Sequence, residues 1–385
     1  MKNVLIRAPL LSFSGYGVHS RQIFKWLSNR KDVNVYSEIV NWGNTTWMIN
    51  SEMEDGLIGK IMETSSGVEN PDVTFQVQLP DEWDPDLGKF NVGVSAFVET
   101  DRCHPSWIDA INKMDLVIVP STFTKALIEN TGECKTPVIV VHESFHDDFA
   151  NESGSLDIDL DTSFNFLVVG QFTGDDPWND RKNLFFTIKW ICEEFKDDPN
   201  VGIILKTNHG RGTRIDRELT KSKVNQIVNE VREGDFPRFH LIHGNLTSKE
   251  MVQLYNHKSC KCLVSLTRGE GYGLPLLEAS VGKIPVIATN WSGHLDFLGK
   301  GKFIPINYSL TQIPPSRIDG RIFLEGFRWA EPMEEDFKKK ILKFREKSEK
   351  PKEWANELSK TLKSEFSHKK ISGDYDNAWS NFIES

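Results

Sequence analysis

Glu270 and Glu278 bracket a Gly-Tyr-Gly-Leu-Pro turn inside the run Ser265–Gly282, SLTRGEGYGLPLLEASVG. An ionised carboxylate has several acceptor lone pairs and can take two hydroxyl donors at once. Two acids at the mouth of one helix therefore suit a polyol such as ribose or a hexose better than a bare anion. The backbone between them offers a second kind of recognition. A helix start presents unpaired N–H groups and the positive end of the helix dipole, and both attract phosphate and other oxygen-rich groups. The plainer alternative is a Gly-rich connection carrying two solvated acids.

Positive charge of the kind a diphosphate needs appears in Val168–Leu184, VVGQFTGDDPWNDRKNL, which reads as a strand, a polar loop and a helix start. Arg181 and Lys182 in that loop could stabilise the negative charge that grows on a departing diphosphate. Near the N-terminus, Ser12–Gly17, SFSGYG, follows a strand, and Gly15 and Gly17 there permit close approach of a phosphate or sugar, or make a plain tight turn. Phe97–Trp107, FVETDRCHPSW, puts Glu99, Asp101 and His104 at the carboxyl end of a strand expected over Val92–Val98. Unpaired acids there would face a ligand cleft, whereas beside Pro105 a helix-start role for His104 is the simpler reading.

These residues need elements to hold them. Cys262–Leu266 is a short apolar run that predicts a buried parallel strand. Gly271 and Gly273 allow the sharp turn after it, and Pro275 suits a first helical position, which puts Glu278 in the first helical turn. Along the chain, strand-like runs alternate with helical patterns, the arrangement of parallel α/β domains. Val4–Ala8, Val33–Ile39, Val73–Val77, Val92–Val98, Leu116–Val119 and Val138–Val141 read as strands of a first lobe. Phe164–Val169, Val201–Lys206, Phe239–Ile242, Cys262–Leu266 and Ile284–Ala288 read as strands of a second.

The polar stretch Asn151–Ser163 is the linker candidate, giving an N-terminal lobe over 1–152 and a C-terminal lobe over 163–372. The tail from Pro332 reads as two or three amphipathic helices. At 385 residues the chain exceeds the ~250–300 at which single cores stop growing. The expected fold is α/β, two doubly wound parallel-sheet lobes, and ligands of such sheets bind beyond the carboxyl ends of the strands.

Composition excludes more than it identifies. With 46 basic against 55 acidic residues the net charge is −9, which disfavours a nucleic-acid partner bound through phosphate neutralisation. No apolar run approaches the ~20 residues of a transmembrane helix, and Met1–Ala8 lacks a signal-peptide apolar region, so a cytoplasmic location is expected. Five scattered cysteines include no C-x-x-C pair, and no metal is expected. One motif competes: His142-Glu143-Ser144-Phe145-His146 fits the H-E-x-x-H pattern of zinc metalloproteases. That chemistry needs both histidines one turn apart on a helix, a third ligand and Glu143 as base. Here a β-branched run leads straight into His142, and no third-ligand spacing follows.

The stretch Ser265–Thr289, with GEGYGLPLLEASVGKIPVIAT at its heart, resembles the signature of retaining glycosyltransferases of the GT-B fold, especially those of the family 4 type (glycosyl transferases group 1). The resemblance implies two Rossmann-like lobes with a cleft between them, and a last helix, about 373–385, that returns to the first lobe. It implies transfer of a sugar from a nucleotide-diphosphate sugar to a hydroxyl acceptor, such as a glycan, lipid-linked glycan or protein, with retention of configuration and no required cofactor. Glu278 would hold the ribose and Glu270 the donor sugar. Lys182 and Arg181 would hold the diphosphate, aided by backbone at Gly271, Tyr272, Gly273 and Leu274 and by Gly15 and Gly17 of the N-terminal loop. Gly244 and Leu246 in His243–Glu250, HGNLTSKE, would meet the base. Glu99, Asp101 and His104 would meet acceptor or donor-sugar hydroxyls. The sequence departs from the pattern at Gln171, where the family usually has an arginine, so either Arg181 or Lys206 compensates or the donor phosphate is bound more weakly or by a differently built site. A non-catalytic nucleotide-sugar or glycan-binding protein on the same fold is the alternative. Base, sugar, acceptor, linkage and oligomeric state are not legible.

Overall fold

The computed structural model describes residues 1–151 and 154–384, so Glu152 and Ser153 of the expected linker lie outside the described residues. The chain forms two compact units, Met1–Ser144 with His368–Ser385, and Phe145–Ser367.

The first unit is built on β1 (Lys2–Ala8), β2 (Val33–Ile39), β3 (Val73–Val77), β4 (Asn91–Val94), β5 (Leu116–Val119) and β6 (Val138–Val140). They lie in the order β2-β1-β3-β4-β5-β6, every neighbouring pair parallel. Its helices are α1 (Gly15–Ser28), α2 (Leu57–Glu63), α3 (Pro105–Ile111) and α4 (Thr122–Thr131). The strands read as near-continuous Val/Ile/Leu runs because both faces are covered, and β3 is buried along its whole length. β4 stops at Val94, four residues before the expected end. Ser95 Oγ accepts from the Phe97 N–H (3.1 Å) and Phe97 turns to φ +56°, so 95–98 is loop. Glu99, Asp101 and His104 therefore follow a loop, not a strand end.

The second unit carries β7 (Phe164–Val169), β8 (Val201–Thr207), β9 (Arg238–His243), β10 (Cys260–Ser265), β11 (Val286–Thr289) and β12 (Ile304–Ile306) in the order β12-β11-β10-β7-β8-β9, again all parallel. Around this sheet run α5 (Leu184–Glu194), α6 (Arg214–Val231), α7 (Ser248–Tyr255), α8 (Leu274–Val281), the short α9 (Leu295–Leu298), α10 (Glu334–Glu346) and α11 (Glu349–Glu365). An antiparallel hairpin, β13 (Tyr308–Gln312) with β14 (Arg328–Pro332), stands outside the main sheet. The chain runs outward through β7, β8 and β9, then returns to place β10 beside β7 and runs outward the other way. The reversal between β7 and β10 is the point where ligands of doubly wound sheets bind. The corresponding reversal in the first sheet falls between β1 and β3.

After α11 the chain re-enters the first unit as α12 (His368–Ala378) and one π-helical turn, Trp379–Ile383. Ile371, Tyr375 and Trp379 join Phe24, Trp26 and Phe75 in that unit's core. The Trp26 Nε1–H donates to Asp376 (2.9 Å) and Lys2 Nζ donates to the Ile383 carbonyl (3.1 Å).

Candidate active site

The loops that leave β7 and β10 are tied to each other residue by residue. The loop after β7 is organised by Asp180. Its Oδ1 accepts from the Thr173 N–H (2.9 Å), the Thr173 hydroxyl (2.7 Å) and the Lys182 N–H (3.2 Å), while Oδ2 accepts from the Leu184 N–H (2.9 Å) at the start of α5. Asn183, the α5 N-cap, sits at φ +56°, a left-handed conformation that Asn tolerates better than most residues. Its side-chain amide donates across to the Leu266 carbonyl (3.1 Å). The Arg268 N–H donates to the Arg181 carbonyl (2.8 Å), and Arg181 NH1 donates to the Gly269 carbonyl (2.6 Å).

Lys182 Nζ then donates to both oxygens of Glu270, at 2.6 and 2.7 Å, with Arg181 NH1 3.8 Å from the same carboxylate. The sequence offers these residues as separate groups, one acid and two bases, whereas folding pairs them. Glu270 is buried, which alone opposes its ionisation. The charges of Lys182 and then Arg181 override that cost, and the carboxyl is held below its ordinary range. Its backbone is fixed by the Ser292 hydroxyl (2.9 Å) and by the Gly293 N–H (2.9 Å). A Cβ on Gly293 would lie 2.1 Å from the Gly271 carbonyl, so only glycine lets these two turns touch.

Glu278 has the opposite environment. Gly273, at φ +100°, is the N-cap of α8, and the helix begins at Leu274. Glu278 thus opens the second turn, a correction to its expected first-turn position. Burial pushes its carboxyl up to about 8, against the opposing hydrogen bond from Tyr255 and the charge of Lys206. Lys206, at the end of β8, is pushed down to about 8 by burial, against the charges of Glu250 and Glu278, and its Nζ donates to the Gly244 carbonyl (2.6 Å). Gly244 has φ +109° with open space where a Cβ would be, and Leu246 packs half-buried on the second unit's core.

Gln171 is exposed in the loop just past β7, and of its two proposed substitutes Lys206 is tied to Gly244 and Arg181 to Gly269. The Tyr272 side chain is buried against Phe297, and Leu274 packs on the same core. Gly15 opens α1 with space at its Cβ position, and a Cβ on Gly17 would meet the Ser12 carbonyl at 2.1 Å. Beneath that loop Arg21 is buried, its NH1 donating to the Leu10 (3.0 Å) and Ser12 (2.8 Å) carbonyls and its Nε to Glu54 (2.8 Å). Asp101 lies 3.9 Å from Arg102, and Glu99 is half-buried. His104 is the N-cap of α3, its Nδ1 accepting from the Ser106 N–H (3.1 Å).

The segment His142–His146 contains no helical turn, so the two histidines lack the one-face helical spacing a zinc protease uses. His142 Nδ1 meets the Pro120 carbonyl (2.9 Å), and His146 caps the turn Asp147–Ala150. Among the described residues no three His, Cys, Asp or Glu side chains converge as a metal-ligand set. Nor is any helix among them long and apolar enough to cross a membrane. Asp180, Ser292 and Arg268 were not singled out in the sequence. Asp180 finds its partners within its own loop, whereas Ser292 and Arg268 act on residues far along the chain, and only the place of Arg268 within SLTRGEGYG hinted at a role.

Residues 223–361 match the family described as glycosyl transferases group 1. This segment belongs to that family. It runs from within α6 to within α11 and includes Glu270 and Glu278, while Arg181 and Lys182 precede it. Among solved structures the chain is similar to sucrose-phosphate synthase from Thermosynechococcus elongatus (12% identity, all of both chains, TM-score 0.66). It is also similar to Anabaena HepE in complex with UDP-glucose (14% identity, 99% of this chain and 100% of that one, TM-score 0.60). A third similar structure is the lipopolysaccharide outer core galactosyltransferase WaaB (15% identity, 99% of each, TM-score 0.60). These likenesses show the fold, two Rossmann-like units of the GT-B type. No curated protein sequence matches the chain.

Proposed function

We propose that this glycosyl transferases group 1 chain moves a sugar from a nucleotide-diphosphate sugar to a hydroxyl acceptor with retention of configuration. The observation that carries the reading is the Lys182–Glu270 pair held at the β7/β10 reversal. An ammonium has three donors and Glu270 takes two of them, so one can reach a phosphate oxygen. Each Glu270 oxygen keeps acceptor capacity for a sugar hydroxyl. Arg181 adds a second cation beside it, and the α8 N-terminus adds backbone N–H groups at Gly271 and Gly273.

In the proposed step the bond from the anomeric carbon to the diphosphate oxygen breaks and the acceptor oxygen bonds to that carbon on the same face. The acceptor proton passes to the departing phosphate oxygen. Lys182 and Arg181 stabilise the charge that develops there, and no metal is required. We assign Glu278 to the ribose hydroxyls and the backbone at Gly244 and Leu246 to the base. Gly15, Gly17, Glu99, Asp101 and His104 are assigned to the sugar donor or the acceptor. UDP-glucose, the ligand of the similar HepE structure, is the first donor to try.

The test is a hydrolysis assay across a panel of nucleotide sugars with the released sugar's anomer read by NMR. Slow release from one donor with the starting anomeric configuration supports the reading. Binding without turnover of any donor would leave the non-catalytic alternative, and an inverted product would remove retention.

A further inference from the structure

Arg268 is completely buried between the two loops that form the site, yet none of its polar atoms is in a position to meet a ligand. Its Nε and NH2 donate to the two oxygens of Glu331 on β14, at 2.6 and 3.0 Å, in the bidentate geometry that only arginine forms. Its NH1 donates to two carbonyls of the loop after β7, Pro177 (3.0 Å) and Asp180 (2.7 Å). Its own N–H donates to the Arg181 carbonyl (2.8 Å), and its carbonyl accepts from the Ala330 N–H (3.0 Å). Trp329 and Phe186 lie against the guanidinium, 5.3 and 5.9 Å from ring centre to Cζ. One side chain thus joins three segments distant in sequence: the loop carrying Arg181 and Lys182, the loop carrying Glu270, and the outlying hairpin.

A buried cation carries a large desolvation cost and is tolerated where its charge is paired and each of its nitrogens is hydrogen-bonded. Arg268 meets that condition by spanning the reversal between β7 and β10. The two halves of the site approach each other there, and Lys182 must reach Glu270 from a different loop.

We propose that Arg268 is the positioning residue of the phosphate site, and that Glu331 and the β13–β14 hairpin exist in part to hold it. The inference rests on the proposed sugar-nucleotide reading, because it concerns where Lys182 and Arg181 are delivered. Its consequence is selective: loosening the clamp disturbs the recognition of a diphosphate and leaves recognition of a nucleoside alone.

The experiment is calorimetric titration of UDP and of uridine into the full chain, wild type against R268K and E331Q. Lysine keeps the charge but supplies one donor centre in place of a planar fork. A clamp that positions the cations predicts UDP affinity lower by about tenfold or more in R268K, a smaller loss in E331Q, and uridine affinity unchanged in both. If R268K does not fold, E331Q carries the same comparison. Equal UDP affinity in a folded variant and wild type overturns the inference while leaving the sugar-nucleotide reading intact. A parallel loss of UDP and uridine binding marks Arg268 as a general structural residue and also overturns it. If wild type binds neither, the same comparison is made with ADP and GDP and their nucleosides, and wild-type protein that binds none of them overturns both.

Discussion

Two buried arginines do the same job in the two units of this molecule. Arg21 holds the Ser12–Gly17 loop after β1 through two carbonyls and pairs its Nε with Glu54. Arg268 holds the loop after β7 through two carbonyls and pairs its Nε with Glu331. What the loops carry differs. The first presents neutral hydroxyls, with Ser12 2.8 Å from Thr45 and Tyr16 2.9 Å from Ser95. The second presents Lys182 and Arg181 against Glu270. One mode of support thus serves two kinds of surface, and only the second has the charge that a diphosphate demands.

The largest expected effect is at the charged loop. Lys182→Met should lower turnover of the responsive nucleotide sugar by about 10²–10³-fold, the scale of removing one preorganised electrostatic contact, measured as initial rates. A variant with wild-type turnover would break the contrast between the loops.

Arg21→Met should come next. It leaves Glu54 and two carbonyls without their buried partner, and removing one member of a buried pair costs about 3–5 kcal/mol, to be read by denaturant unfolding. A loss well under 1 kcal/mol would show that the first loop does not depend on its arginine as described.

pH separates Glu278 from Glu270. The Glu278 carboxyl is raised to about 8, so its contribution to stability is complete below its ordinary value of 4.5 and is lost as pH rises through about 8. Glu278→Gln removes that dependence. Its melting temperature relative to wild type should therefore rise by several degrees between about pH 5 and about pH 9. A difference that stays flat with pH would mean Glu278 titrates in its ordinary range.

The smallest effect is at the hydroxyl loop. Tyr16→Phe removes the group that meets Ser95 and accepts from the Ala96 N–H (3.1 Å), which should cost about 1 kcal/mol in the same unfolding assay. A cost near that of Arg21→Met would make the hydroxyl network a main support of the loop.

Much of the two sheets was legible because their strands are buried on both faces, and apolar runs such as Val73–Val77 and Phe164–Val169 need no partner to be recognised. The β13–β14 hairpin was not. Its strands, YSLTQ with no buried residue and RWAEP with buried Trp329, Ala330 and Pro332 among polar neighbours, contain no long apolar run, and each makes sense only beside the other. In the site, Glu270, Glu278, Arg181 and Lys182 were visible as residue types at telling positions. The bond between Lys182 and Glu270 was not, because 88 residues separate them and only the β7–β10 pairing brings their loops together. The elevated Glu278 carboxyl was hidden for a similar reason, since it is set by burial in the folded unit, opposed by Tyr255 of α7 and Lys206 of β8, which lie far from it in sequence.

The most direct test of the central claim is calorimetric titration of UDP-glucose into wild type and Lys182→Met at low salt. If the β7/β10 loops hold a sugar-nucleotide diphosphate through the Lys182–Glu270 pair, wild type gives a saturating isotherm and the variant binds about tenfold or more weakly. Equal affinity in the two proteins would show that the pair is not the diphosphate anchor.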